Sequence, residues 1–103
     1  MLEILLACGS GMSTSMLVQR MEAAAKEKGI EAKIWAVSLT EVETNIEKND
    51  VDVLLIGPQV KYNVPKFKEK YEPQIKVTDI NMVDYGRMNG AKVLDDTLKL
   101  LEV

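Results

Sequence analysis

The order of apolar patterns along the chain predicts an α/β protein: a three-layer fold whose four-stranded parallel sheet has the spatial order 2-1-3-4. Three observations lead there. Short apolar runs alternate four times with segments whose apolar residues recur at spacings of three and four, and this alternation implies a parallel sheet covered by helices on both faces. The runs at 2–7 and 51–56 are almost continuously apolar, as central strands are, whereas those at 31–37 and 75–80 carry Lys33, Lys76, Thr78 and Asp79, as edge strands do. Right-handed crossovers then set the first strand beside both the second and the third.

Each element has its own signal. Leu-Glu-Ile-Leu-Leu-Ala at 2–7 is a short strand that runs into Cys8-Gly9-Ser10-Gly11, a turn. A helix follows from Ser13, with Thr14, Leu17, Val18, Met21, Ala24, Ala25 and Lys28 on one stripe and Gly29 as terminator. After the strand at 31–37, Ser38–Glu41 offers a cap; Leu39, Val42 and Ile46 define a short helix, with Thr40 and Glu43 spaced as a capping box. Gly57-Pro58 ends the third strand. Val60, Val64, Phe67 and Tyr71 form the next helical stripe, and Pro65 sets its regular part to begin near Val64, after a loop or tight turn. The strand at 75–80 alternates as a half-exposed one does. Residues 81–89 read as a loop, and Ala91, Leu94, Leu98 and Leu101 mark a last helix, with Val93 and Leu100 widening its core face. Core filling is the expectation for Met16 and Met21, and packing in the core or at the sheet edge for Trp35.

Composition narrows the function classes. The 103 residues suit a single domain, 1–103, and 47% hydrophobic with 28% charged residues is ordinary for a globular protein. No apolar run approaches the roughly 20 residues a bilayer needs, and no leader pattern opens the chain, so a cytoplasmic place is expected. The net charge of −3, without a strongly basic stretch, makes nucleic acid a poor partner. There is no histidine and one cysteine, Cys8. Serine–histidine and cysteine–histidine catalysis are thereby excluded, as are an internal disulfide and a thiolate metal cluster; neither metal nor cofactor is expected.

The order 2-1-3-4 has a switch point between the first and third strands, and ligands of open parallel sheets bind at such a point, beyond the carboxyl ends of the strands. The loop there is Cys8-Gly9-Ser10-Gly11-Met12-Ser13-Thr14-Ser15. Its two glycines suit positive φ and close backbone approach to a ligand. Its hydroxyls, its successive N–H groups and the N-terminus of the following helix suit a tetrahedral oxyanion such as a phosphoryl group. The same helix terminus stabilises a thiolate, which is a nucleophile without help from histidine. The residues thus point to a Cys8 that is covalently phosphorylated, with the amides of Gly9–Ser15 on the phosphate oxygens. The plain alternatives are a small buried cysteine and a Ser13 or Thr14 that only caps the helix.

Cys8-x-x-Gly11-Met12-Ser13-Thr14-Ser15 after a first strand and Gly57-Pro58-Gln59-Val60 after a third resemble the IIB components of the bacterial sugar phosphotransferase system, in the lactose/cellobiose (diacetylchitobiose) class. The resemblance spans essentially the whole chain. It implies a flavodoxin-like, low-molecular-weight-phosphatase-like fold and a phosphocysteine at Cys8. It also implies a IIA protein whose phosphohistidine is the donor, and a membrane IIC transporter whose bound sugar, a β-linked disaccharide such as cellobiose, lactose or chitobiose, is the acceptor.

The loop is also similar to that of low-molecular-weight tyrosine phosphatases, in which arginine stands six positions after the cysteine. Here that position is Thr14, and the next arginine is Arg20. Without an arginine fork to clamp the transferring group, a phosphatase or arsenate reductase is the weaker reading. An FMN-binding module is the non-enzymatic alternative, and it would need Trp35, Tyr62 or Tyr85 beside a ring. At the same sheet end, Gln59 is a candidate hydrogen-bond partner of the loop, and Tyr62 and Tyr85 are candidate rim or docking residues. Met12 is a candidate contact for the IIA protein, Lys61 and Arg87 are nearby positive charges, and Asp84 reads as a solvated loop residue.

Overall fold

The computed structural model describes residues 1–9 and 12–101, the side chains of Met12 and Ser13 excepted. The strands are β1 (Leu2–Cys8), β2 (Ala32–Ser38), β3 (Val53–Ile56) and β4 (Lys76–Asp79). They form one parallel sheet in the order β2-β1-β3-β4, as the apolarity of the strands predicts. The helices are α1 (Met12–Glu27), α2 (Val42–Lys48), α3 (Val64–Tyr71), α4 (Met82–Gly86) and α5 (Gly90–Leu101).

Side chains alternate across the central strands, so each strand serves two cores. Ile4, Leu6, Val53 and Leu55 face one cluster with Leu17, Val18 and Met21 of α1 and Val93 and Leu94 of α5. Leu5, Ala7, Leu54 and Ile56 face the other, with Val42 of α2 and Phe67 of α3. The register sets Ala7 against Ile56, and the ladder runs one step further, where the Gly57 N–H donates to the Ala7 carbonyl at 2.8 Å. The buried side of α1 is the predicted stripe from Thr14 to Ala25, while Lys28 lies exposed beyond it. Gly29 closes the helix at φ 71°: its N–H donates to the Lys26 carbonyl and that of Ile30 to the Ala25 carbonyl, the paired bonds of a Schellman end.

Several expectations need correction. Residues 81–89 are not all loop. Asn81 Oδ1 accepts from the N–H groups of Val83 (2.9 Å) and Asp84 (3.1 Å) and so starts the short helix α4. Such a helix is too brief to show a period. The capping box is Ser38 with Glu41, not Thr40 with Glu43: Glu41 accepts from the Ser38 N–H and hydroxyl at 3.3 and 3.0 Å, where a single 3-10 turn precedes α2. A 3-10 stretch, Pro58–Asn63, fills the turn before Val64. Met16 points outward and is 48% exposed, whereas Met21 is fully buried. Helix α5 is rotated from the expected stripe: Gly90, Val93, Leu94 and Thr97 are buried, while Ala91 and Leu100 are exposed. Its N-terminus lies so close to α1 that a Cβ on Gly90 would stand 2.5 Å from the backbone of Arg20 and Met21. Trp35 is half-buried at the edge strand and donates from Nε1 to Asn45 Oδ1 at 2.9 Å.

Candidate active site at Cys8

Cys8 is the last residue of β1, and α1 begins four residues later. Strand and helix meet at the carboxyl edge of the sheet, beside the end of β3, where the strand order predicts a site. Cys8 is 4% exposed. Its Sγ lies 2.7 Å from Thr14 Oγ1 in the first turns of α1. Thr14, 1% exposed, lies inside the first turn of α1 rather than at its cap position, and its hydroxyl is turned inward onto the sulfur.

Behind Thr14 stands Tyr85, with Oη 3.3 Å from Thr14 Oγ1. Tyr85 is 9% exposed and belongs to the core cluster between the sheet and helices α1 and α5. Its expected place on the rim is therefore corrected: it lies beneath the site. The aromatic body fills core volume, and the buried hydroxyl needs a polar partner, which Thr14 supplies. Helix α4 holds Tyr85 there, through its N–H to the Asn81 carbonyl at 2.9 Å.

The remaining wall is Gly57. A Cβ at this position would lie 3.1 Å from Cys8 Cβ and 3.5 Å from the Ala7 carbonyl oxygen. A side chain there would press on the thiol. In the sequence Gly57 reads as a strand breaker and as part of the Gly57-Pro58-Gln59-Val60 motif, but a register that puts Ala7 against Ile56 also puts Cys8 against Gly57 by counting.

The rest of the predicted loop divides. Ser10 and Gly11 lie outside the described residues, and Met12 and Ser13 are described only as the start of α1. Gly9 is exposed and does not have the expected positive φ; among the described glycines only Gly29 does. Ser15 is exposed. Gln59 and Tyr62 lie on the 3-10 stretch after β3, both exposed, Tyr62 at 76%. Lys61 and Arg87 are exposed as well. Asp84 is not a freely solvated loop residue, for it sits in the first turn of α4 with Lys92 Nζ 3.9 Å from its carboxylate. Among the described residues no group of three histidine, cysteine or acidic side chains is placed to hold a metal ion, and no helix is long and apolar enough to cross a membrane.

Chemically, the arrangement is a shielded thiol beside a helix N-terminus, with a hydroxyl at hydrogen-bond distance, in a chain that has no histidine.

The family model described as "PTS system, Lactose/Cellobiose specific IIB subunit" matches residues 3–96. The oligo-beta-mannoside-specific EIIB component of Bacillus subtilis (strain 168) is 40% identical over 104 residues, covering 98% of this chain and 97% of that protein. The solution structure of a cellobiose-specific phosphotransferase IIB component from Borrelia burgdorferi is 46% identical, with a TM-score of 0.71 over 91% of this chain and 85% of the other. The lactose-specific IIB domain from Streptococcus pneumoniae is only 16% identical yet superposes with a TM-score of 0.82 over 95% of both chains, a likeness of fold. The chain belongs to the lactose/cellobiose-specific IIB subunits of the phosphoenolpyruvate:carbohydrate phosphotransferase system.

Proposed function

We propose that residues 1–103 act as one IIB domain that carries a phosphoryl group on Cys8. In the first step the Cys8 thiolate attacks the phosphorus of a phosphohistidine on a IIA protein. The P–S bond forms as the P–N bond breaks, and the imidazole leaves with the electron pair and takes up a proton. In the second step a sugar hydroxyl oxygen, held in a membrane IIC transporter, attacks the same phosphorus. The P–O bond forms as the P–S bond breaks, the thiolate is regenerated, and the hydroxyl proton is lost to a base or water. Transfer of this kind depends on positioning and charge neutralisation more than on acid–base groups.

The observation that carries this reading is Cys8 Sγ at the β1–α1 junction, 2.7 Å from a buried Thr14 hydroxyl. Two features support a carrier over a hydrolase. Thr14 occupies the place where arginine stands in the similar phosphatase loops, and one well-placed donor to a developing charge is worth about 10²–10³ in rate. Cys8 itself is 4% exposed, so the sulfur is shielded from solvent before it is loaded. In this reading the amides of Gly9–Ser15 hold the phosphate oxygens, and Gln59 and Tyr62, exposed after β3, lie on the surface that meets the partners. The protein works in the cytoplasm and meets the membrane through IIC. The acceptor is a β-linked disaccharide of the cellobiose, lactose or chitobiose kind. Its identity belongs to IIC, since relatives named for oligo-β-mannosides and for cellobiose stand at a similar distance from this chain.

Phosphotransfer from phosphoenolpyruvate through the general proteins of the system and a panel of IIA proteins tests the proposal, read by intact mass and peptide mapping. One phosphoryl group on Cys8, absent in Cys8→Ser and discharged by sugar-loaded IIC, is the expected result. Label on another residue, or label that survives in Cys8→Ser, overturns it.

A further inference from the structure

We infer that Tyr85 is a positioning residue for Cys8, and that it acts through Thr14 to stabilise the thiolate. The inference rests on the proposed role of Cys8, but it concerns the proton arrangement behind the sulfur. Cys8 Sγ, Thr14 Oγ1 and Tyr85 Oη form a chain of two contacts, 2.7 and 3.3 Å, between groups that are all buried.

The Thr14 hydroxyl has one proton to donate and lone pairs to accept with. A thiolate has no proton, so in the charged state Thr14 must donate to sulfur. Its contact with Tyr85 is then satisfied only if Tyr85 donates to Thr14. When the thiol is protonated the chain can run the other way, from S–H to Thr14 and from Thr14 to Tyr85. A tyrosine hydroxyl that donates along the chain therefore favours the charged sulfur. That preference helps twice: when Cys8 attacks as a nucleophile, and when it leaves as negative charge builds on sulfur during transfer to the sugar. The longer outer contact, beyond the usual 2.7–2.8 Å of a hydroxyl pair, makes Tyr85 the weaker member.

The test is alkylation of Cys8 by iodoacetamide as a function of pH, which needs no phosphoryl donor, together with single-turnover transfer from phosphorylated protein to IIC-bound sugar. Tyr85→Phe keeps the ring and removes only the hydroxyl. It is expected to slow alkylation near neutral pH by about 3-fold and to move the pH profile upward. Thr14→Val is expected to slow it by about 10-fold, Thr14→Ser to restore most of the rate, and Thr14→Val with Tyr85→Phe to be no slower than Thr14→Val alone. Placing 3-fluorotyrosine at position 85, isosteric and with a more acidic hydroxyl, should move the profile the opposite way, and it decides the matter if Tyr85→Phe does not fold. An unchanged profile in either Tyr85 variant, or additive effects in the double variant, overturns the inference. Phosphorylation confined to Cys8 alongside an unchanged profile would sink only this inference, whereas phosphorylation elsewhere would sink the carrier reading and leave the alkylation result intact.

Discussion

One face of the sheet is closed by the sixteen-residue α1 and the twelve-residue α5, with the short α4 at its upper end. The other is closed by α2 and α3, of seven and eight residues, each entered through a 3-10 turn. On the first face Gly90 allows helix backbone to approach helix backbone, and Leu17, Met21 and Leu94 are almost completely buried. On the second, Leu39, Ile46, Val64 and Tyr71 of the covering segments are only half-buried, although Val42 and Phe67 are buried. Thr14 and Tyr85 both project into the close-packed face. A hydroxyl chain that must hold its geometry within a few tenths of an ångström needs such a setting, because rotamers there are locked by their neighbours. The looser face adjoins the Pro58–Asn63 stretch, where Gln59 and Tyr62 are exposed.

Truncation should expose this difference most strongly. Leu6→Ala, at a fully buried position on the tight face, should cost about 3–5 kcal/mol, and Ile46→Ala, half-buried on the other, about 1–2 kcal/mol, as read by urea denaturation. Equal losses would mean that the two faces are equally packed.

Gly90→Ala sharpens the same point with a single methyl group. Its Cβ would meet backbone atoms of α1 at 2.5 Å, and backbone cannot rotate away, so a loss of about 2–3 kcal/mol is expected. Gly86→Ala, whose Cβ would meet nothing within 4 Å, is the control and should change stability by less than about 1 kcal/mol.

The smallest effects belong to the surface ion pairs that tie each pair of helices together. Lys28 Nζ lies 2.9 Å from Asp95 of α5, and Lys70 of α3 lies 3.0 Å from Glu43 of α2. The hydrogen bond from Lys28 holds the Asp95 carboxyl below its ordinary value of 3.8. The contribution of a lowered acid is present above that value and is lost as pH falls through the folded one. The small difference in melting temperature between the parent and Asp95→Asn should therefore vanish on acidification below pH 3.8. The hydrogen bond to Glu43 raises Lys70 above 10.5, so that pair should fail instead at the alkaline end, as pH rises through the raised value. Both pairs are exposed, and 0.5 M salt should shrink both differences.

Much of the architecture was legible in residue order. The nearly continuous apolarity of 2–7 and 51–56, broken only by Glu3 and Asp52 near their starts, against lysines in the other two strands, was enough for the order 2-1-3-4, because strands covered on both faces are mostly apolar. That order in turn put Cys8 at the switch point. What escaped was whatever depends on the rotation of one element against another. Core filling is the expectation for both Met16 and Met21, yet only Met21, which lies on the helical stripe, is buried. Gly57 reads as a strand breaker until register sets it beside Cys8.

By itself, the sequence determined the chemistry available to this protein: one thiol, no histidine, a run of hydroxyls after a strand, and an element order that admits few topologies. Tertiary structure alone decided which of those hydroxyls reaches the sulfur and what stands behind it. Thr14 and Tyr85 are 71 residues apart in the chain, and a contact of that range is set by how α4 and α5 pack on α1. No local pattern encodes such a contact, because the period of a helix says which residues share a face but not which distant side chain that face will meet.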